Sequence, residues 1–364
     1  MRRCEMVCVG AGPAGLAAAV EAARNGVDVV VYDENERPGG QLFKQIHKFF
    51  GSREHRAMER GFDIGNSFLA EARELGVEVS MNSAVLGIYE NGTLNVMIRD
   101  RIEQVKAERT LVATGASENM IPFPGWTLPG VIGAGAAQTM ANIHGIRPGN
   151  TILMVGSGNV GVIVSYQMLQ AGCRVAAVID AAPKIGGYAV HAAKIARAGV
   201  PFFMSHTIKE AQGKLRVEGA TIIEVDADWK PIPGTEKQFD VDTVCIAVGL
   251  NPMTQLIRMA GCKMVVSPVL GGQVPAHNQN QETSVKGIYV AGDATGIEEA
   301  STAIIEGRIA GLAIANSLGY LDDSTFLSQR EEQLRSMVGL RSGSHGEVRS
   351  RAKEYLNAAM EEQS

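Results

Sequence analysis

Cysteines are present in this sequence, but cysteine pairs are not. Cys4, Cys8, Cys173, Cys245 and Cys262 stand singly along 364 residues, with no CxxC step and no four-cysteine cluster. That spacing excludes a redox-active dithiol and leaves an internal iron–sulfur centre without ligands. No metal-ligand cluster is expected. A membrane span is missing too, because no run of about 18 apolar residues is free of charge. Nucleic acid has nothing to hold: the net charge is -5, and no patch interleaves Lys and Arg with aromatics. Met1-Arg2-Arg3 followed by apolar residues resembles a secretion signal only superficially, since those apolar residues form a strand that runs into a glycine motif. A cytoplasmic protein is expected, with Cys4, Cys8 and Cys245 as buried thiols in or beside strands.

Glycine, by contrast, is abundant at 42 residues, and the 45% hydrophobic content suffices for two full cores. The glycines concentrate in two fingerprints, Gly10-Ala11-Gly12-Pro13-Ala14-Gly15 and Gly156-Ser157-Gly158-Asn159-Val160-Gly161. In such a motif the first glycine turns the chain out of a strand and the second lets backbone approach a pyrophosphate. The third lets the next helix pack on the sheet, its N-terminus facing the anion. The context repeats as well. An apolar strand precedes each motif (Met6 to Val9; Thr151 to Val155) and an apolar-periodic helix follows. Each is then followed by a second strand ending in an acid, Asp33 at 18 residues and Asp180 at 19 residues beyond the third glycine. A carboxylate there accepts ribose hydroxyls. The alternative for the second unit is a βαβ element kept only for packing.

The order of elements predicts an α/β protein of two Rossmann-like dinucleotide-binding domains of three-layer ββα type, the second inserted into the first. The first domain takes residues 1–118 and 264–320, the second 119–263, and a helical tail 321–364, solvated or facing a partner. After Asp33, Arg37 to Leu42 reads as a loop leading to a charged helical stretch, then a helix from Gly65 to Leu75. Between Ala84 and Glu108 the pattern alternates, with Asn91-Gly92 as a hairpin signal. Leu111-Val112-Ala113-Thr114-Gly115 ends a buried strand in small residues where the chain passes a nucleotide. Its echo in the second domain is Val244 to Gly249, after an alternating insert with a turn at Gln212-Gly213. Ala291-Gly292-Asp293 closes a short strand before the last apolar helix.

With these residues the chain resembles the FAD-containing pyridine-nucleotide oxidoreductases typified by thioredoxin and glutathione reductases, over residues 1 to about 320. The stretches from Gly39 to His55 and Phe123 to Val131, with Ala136-Ala137-Gln138, resemble more closely the flavin subunits of hydrogen cyanide synthase, opine oxidase and dye-linked L-proline dehydrogenase. The resemblance implies an FAD site at Gly10, Gly12, Pro13, Ala14 and Gly15, with Asp33 and Glu34 at the adenosine ribose. Gly40, Gln41, Leu42, Ala113, Thr114 and Gly115 would lie along the cofactor. Gly292 and Asp293 would meet the ribityl chain, and Ala300 and Ser301 would open a helix aimed at the flavin. NAD(H) would take Gly156, Gly158, Asn159, Val160, Gly161, Asp180 and Gly249.

Asp180 favours NADH over NADPH, because a carboxylate repels a 2'-phosphate and only Lys184 follows nearby. Gly186-Gly187 and His191 come next, on a segment placed to meet the nicotinamide half. No catalytic side chain is assigned: hydride transfer needs no acid, so His47 and His191 read as structural. The implied function is that of an NADH:acceptor electron-transfer subunit in a multi-subunit dehydrogenase of amino acids, acting on a small-molecule substrate. An amine-oxidising flavoprotein and a small iron–sulfur protein would be its partners. No cysteine follows Cys262, so a cluster would sit on a separate subunit. Two alternatives stay open, a relay chain whose second site binds an adenine nucleotide structurally, and a chain that itself oxidises an amino acid.

Overall fold

The computed structural model describes residues 1–49, 51–89 and 91–361. Phe50 in the resembling stretch, Glu90 in the alternating one, and 362–364 of the expected tail lie outside the described residues. The helices in chain order are α1 (Pro13–Arg24), α2 (Gly61–Glu74), α3 (Ala134–Asn142), α4 (Asn159–Gln170), α5 (Ala189–Arg197), α6 (Gln255–Met259), α7 (Ala300–Ser317), α8 (Asp323–Leu340) and α9 (Ser344–Glu361). Among the described residues, no helix is long and apolar enough to cross a membrane.

Two compact units result, 1–117 with the residues from 251 onward, and 118–250. The return to the first unit therefore comes at Asn251, ahead of the expected 264. The cause is α6, whose Ile257, with Ala260 and Cys262 just beyond, is buried in the core of the first unit.

The sheet of the first unit runs Glu78–Ser80, Val29–Tyr32, Arg2–Val9, Arg101–Val112, Thr93–Ile98, Ser83–Ile88, with Ile288–Val290 also on Arg101–Val112. Val29–Tyr32 and the second half of Arg2–Val9 are apolar without alternation, as parallel strands covered on both faces must be. Met6, Cys8, Val29, Val31 and Leu111 face the helices. Val7, Val9, Val30 and Tyr32 face Leu94, Val96 and Val105 of the antiparallel strands, which form the third layer. Asn91 and Gly92 lie in the hairpin connection, Gly92 at φ +74°. The charged stretch after the glycine loop is not a helix. Among its described residues it holds two short 3-10 turns, Gly40–Lys44 and Arg53–His55, and left-handed backbone at Arg56 (φ 61°) and Met58 (φ 73°) interrupts any continuation.

Helices α1 and α7 meet backbone to backbone. A Cβ on Gly307 would lie 2.2 Å from the Ala14 carbonyl oxygen, and one on Gly311 2.5 Å from that of Ala18. The stretch expected as a solvated or partner-facing tail belongs to this unit: α8 buries Phe326 in the main core and Met337 against Ile305 and Ile309, and α9 buries Leu356 against Leu270 and Val274.

The second unit repeats the plan. Its parallel sheet runs Phe202–Met204, Arg174–Asp180, Thr151–Val155, Thr243–Ile246, Val131–Gly133. Val162, Met168, Ala192 and Ile195 from α4 and α5 cover one face. Ile208, Ala211, Ala220 and Ile222 of an antiparallel three-stranded sheet cover the other.

If α8 is integral to the first unit, Phe326→Ala should cost about 3 to 5 kcal/mol of stability, the range for deleting a buried aromatic ring. Equilibrium denaturation in urea measures it. A change under about 0.5 kcal/mol, the scale of a surface substitution, would show α8 to be an appendage.

Candidate functional site

In the first unit, Gly10 ends its strand at φ +105°, and a Cβ there would sit 2.4 Å from the Ala113 carbonyl oxygen. A Cβ on Gly15 would sit 1.9 Å from the Gly10 oxygen. Both glycines are therefore required by the protein's own packing. Gly12 differs: a Cβ there would meet nothing within 4 Å. It is the N-cap of α1, its φ is -78°, and no side chain caps the helix. The N–H groups that follow Pro13 in that first turn are without a side-chain cap, which is the arrangement an anion completes.

Other residues ring this opening. Gly39 donates its N–H to the Ala11 oxygen at 2.7 Å, and Gly40, at φ +52°, lies so close that its Cβ would be 2.9 Å from Gly12 Cα. Asp33 is buried, and its Oδ2 accepts the Ala11 N–H at 2.7 Å while Oδ1 accepts from the backbone and side chain of Asn35. The acid expected at the ribose thus first shapes the glycine loop, with one of its roughly four acceptor positions left over. Glu34 and Gln41 are exposed, whereas the Leu42 side chain is wholly in the core, leaving only its backbone to the turn. Thr114 donates its hydroxyl to the Met253 carbonyl at 2.7 Å, and Gly115 is left-handed with open space around it.

Ala291-Gly292-Asp293 arrives from the far part of the sequence. A Cβ on Gly292 would touch that of Ala14 at 2.9 Å, so the turn lies against the start of α1. Asp293 Oδ1 accepts the Glu298 N–H at 3.3 Å, and burial pushes its carboxyl up to about 7. Ala300 and Ser301 form the first turn of α7, as expected. Sequence reasoning missed what holds this turn. Glu306, a buried residue of α7, accepts the Gly292 N–H at 3.0 Å and is paired with Arg341 and Lys353. No motif marks these residues.

The second unit repeats the arrangement. A Cβ on Gly156 would lie 2.1 Å from the Ala247 oxygen, one on Gly161 2.0 Å from the Gly156 oxygen, and one on Gly158 would meet nothing. Gly158 is the N-cap of α4, again without a side-chain cap. Asp180 Oδ2 accepts the Ser157 N–H at 2.7 Å, as Asp33 does from Ala11. Gly187 donates to the Ser157 oxygen at 2.8 Å, as Gly39 does to Ala11. Gly186-Gly187, expected at the nicotinamide half, therefore folds back over the fingerprint. One difference stands out: the Ser157 hydroxyl donates to Asp180 at 2.7 Å and accepts the Gly186 N–H at 3.1 Å. Asn159 accepts the Tyr188 N–H, Val160 is exposed, and Gly249 is left-handed at φ +109°. His191 is buried, its imidazole pushed down by that burial and by Lys194, while His47 stacks on Phe49.

The pyridine nucleotide-disulphide oxidoreductase family model matches residues 5–307. The chain belongs to that family. The A chain of opine oxidase from Rhizobium meliloti (strain 1021) is 31% identical to it over 345 residues, 89% of this chain and 73% of the relative. Hydrogen cyanide synthase subunit HcnB of Pseudomonas aeruginosa is 30% identical over 359 residues, 92% of this chain and 76% of the relative. The fold also matches the crystal structure of L-proline dehydrogenase from P. horikoshii, with a TM-score of 0.69, 22% identity, and cover of 92% of this chain and 59% of that one.

As a family member the protein is an FAD-dependent oxidoreductase, and its cofactors are FAD and a pyridine nucleotide. The two open, uncapped glycine cradles fit two dinucleotides. Disulfide chemistry does not fit: all five cysteines are free and buried, and burial pushes the Cys8, Cys245 and Cys262 thiols up, away from the reactive thiolate.

Gly12→Val and Gly15→Ala should part company. The first places a Cβ where nothing lies within 4 Å, so cofactor-free protein should lose no more than the roughly 1 kcal/mol of a poorer N-cap while FAD binding in a flavin fluorescence titration is lost. The second collides with the Gly10 carbonyl and lowers the melting temperature. Equal destabilisation by both would remove Gly12 from the cradle.

The pH dependence of the cofactor-free protein carries two opposed contributions. Burial and Lys353 push His277 down to about 4, so on acidification the unfolded chain takes up a proton that the folded chain refuses, and stability is lost. Asp293, at about 7, takes up its proton in the folded state first, and stability is gained. Relative to wild type, His277→Asn should flatten the loss of stability between about pH 6.5 and about pH 4.5, and Asp293→Asn should steepen it. Urea midpoints across that span read both signs.

Proposed function

We propose that this chain is the electron-transfer subunit of a multi-subunit dehydrogenase of amino acids of the proline, sarcosine or opine kind, with NADH as its pyridine nucleotide. The carrying observation is the duplicated, open cradle in a chain without a cysteine pair: two dinucleotides are provided for, and a disulfide substrate is not. That the relatives matched are named as subunits supports a role inside a complex. An amine-oxidising flavoprotein and a small iron–sulfur protein are the proposed partners. Five free thiols suit a reducing cytoplasm, where the chain is proposed to work.

In this reading the first unit, 1–117 with the residues from 251 onward, is the FAD domain, and 118–250 is the NADH domain. Bound FAD supplies two-electron acceptance and one-electron release. The chain's own contribution is placement. The first turn of α1 offers its N–H groups to the pyrophosphate, Asp33 and Glu34 take the adenosine end, and Gly40, Gln41, Leu42 and Ala113 to Gly115 approach with backbone. Asp293 takes the ribityl hydroxyls, and the N-terminus of α7 brings a partial positive charge toward the flavin. In the second unit the first turn of α4 does the same for NADH. Asp180 excludes a 2'-phosphate, the cation nearest after it in sequence being Lys184.

A second reading is favoured by Ser157. With its hydroxyl bridging Asp180 and Gly186, the loop of the second cradle is braced more firmly than that of the first, as suits an adenine nucleotide that stays bound while the chain relays electrons. Anaerobic titration separates the readings. NADH should bleach the flavin absorbance, NADPH far less, and Asp180→Arg should narrow that preference. L-Proline, sarcosine and opines should leave the isolated chain oxidised. A flavin unmoved by NADH in protein that retains ADP tightly would favour the relay, and direct reduction by an amino acid would overturn both.

A further inference from the structure

Helices α8 and α9 lie beyond the family match, which ends at residue 307, yet they send two cations into the heart of the first unit. Lys353 is 5% exposed and Glu306, its partner at 2.9 Å, 2% exposed. A carboxylate in such a place costs several kcal/mol unless its acceptor positions are filled and its charge is matched. Here they are filled from two sides. Glu306 Oε1 takes the Lys353 ammonium and, at 2.8 Å, the Arg341 guanidinium. Oε2 takes the Gly292 N–H at 3.0 Å and lies 3.1 Å from the Thr295 hydroxyl, which the Lys353 ammonium also contacts. Arg341 reaches on to Glu298 at 2.9 Å, and the Glu298 N–H is the one held by Asp293. Two cations and two carboxylates thus close a neutral cluster directly beneath the turn that carries Asp293.

We infer that Lys353, with Arg341, is a positioning residue of the flavin site, acting through Glu306 on the Gly292-Asp293 turn. This rests on the reading that the cradle around Gly12 holds FAD. The chain of contacts is short. Lys353 keeps Glu306 ionised and oriented, Glu306 holds the Gly292 N–H, and Gly292 presses on Ala14, inside the first fingerprint. Without the ammonium, Glu306 has one cation for two tasks, and its other oxygen loses its fixed direction. The turn slackens where Asp293 must be presented. Docking of α9 does not need the ammonium, since Leu356 is buried against Leu270 and Val274 independently.

The test is a double-substitution cycle on full-length protein, read as FAD dissociation constant by flavin fluorescence and as melting temperature without FAD. Lys353→Met keeps the aliphatic stem and should weaken FAD binding about tenfold to a hundredfold, the loss of one charged hydrogen bond. Lys353→Arg should restore most of it. Glu306→Gln should weaken binding as well, and adding Lys353→Met to it should cost little more, because an uncharged amide at that position no longer needs the cation. Leu356→Ala should lower the melting temperature while leaving FAD affinity within about twofold, the scale of an untouched site. Wild-type affinity in Lys353→Met, or independent, multiplying effects of the two substitutions, would overturn the inference. Should Lys353→Met not fold, the Glu306→Gln and Lys353→Met double variant decides: FAD affinity far below that of Glu306→Gln alone overturns it. Wild-type protein that takes up no FAD would instead fell the flavin assignment on which the inference rests.

Discussion

Main chain pressed on main chain at the crossing of α1 and α7 is the constraint from which the first unit is organised. Gly307 and Gly311 stand where any side chain would strike the carbonyls of Ala14 and Ala18, so the two helices approach as closely as backbone allows. That approach carries the Gly292-Asp293 turn, just ahead of α7, onto the opening turn of α1. The fingerprint alone is a strand, a turn and a helix. It is joined by the Gly292-Asp293 turn because a helix from far along the sequence lies against it, and side chains larger than hydrogen would hold that helix away.

The two cradles are built from one set of parts. Strand-end glycine against a carbonyl, open N-cap glycine, acid gripping the loop N–H and a returning glycine pair occur in both, with hydrogen bonds of nearly equal length. What varies is Ala11 against Ser157. The alanine has no side-chain bond to add to the grip of Asp33, while the serine hydroxyl adds a bridge from Asp180 to Gly186. Each acid therefore has a structural task of its own, and a carboxylate has more acceptor positions than that task fills.

Much of this was legible in the residues. Unbroken apolar runs at Met6 to Val9 and Thr151 to Val155 point to strands covered on both faces, and glycine spacing with a downstream acid points to nucleotide-binding turns. These are local signals. The illegible parts are long-range. Ile257 looks like the end of one domain and packs in another, because an apolar residue does not say which core it enters. Phe326 and Leu356 sit in stretches polar enough to pass for a tail, yet both are buried, and so is Met337. Lys353 and Glu306 carry no signature at all, since a buried ion pair is written with the same letters as two solvated ones. The charged stretch around Arg53 to Arg56 misled in the opposite sense: its composition suits a helix, but left-handed backbone at Arg56 and Met58 keeps it irregular.

The sequence distance between Ala14 and Gly307 also sets an order of events during synthesis. The contacts described for the second cradle, from Gly156 against Ala247 to Ser157 on Asp180, lie within residues 118–250. That unit has all it needs while later residues are still being made. The first cradle has its strand, turn and acid early, but its cover arrives with α7 and its ionic lock only with α9. The interrupted domain is thus completed after the domain that interrupts it, once α7 and α9 have both been made.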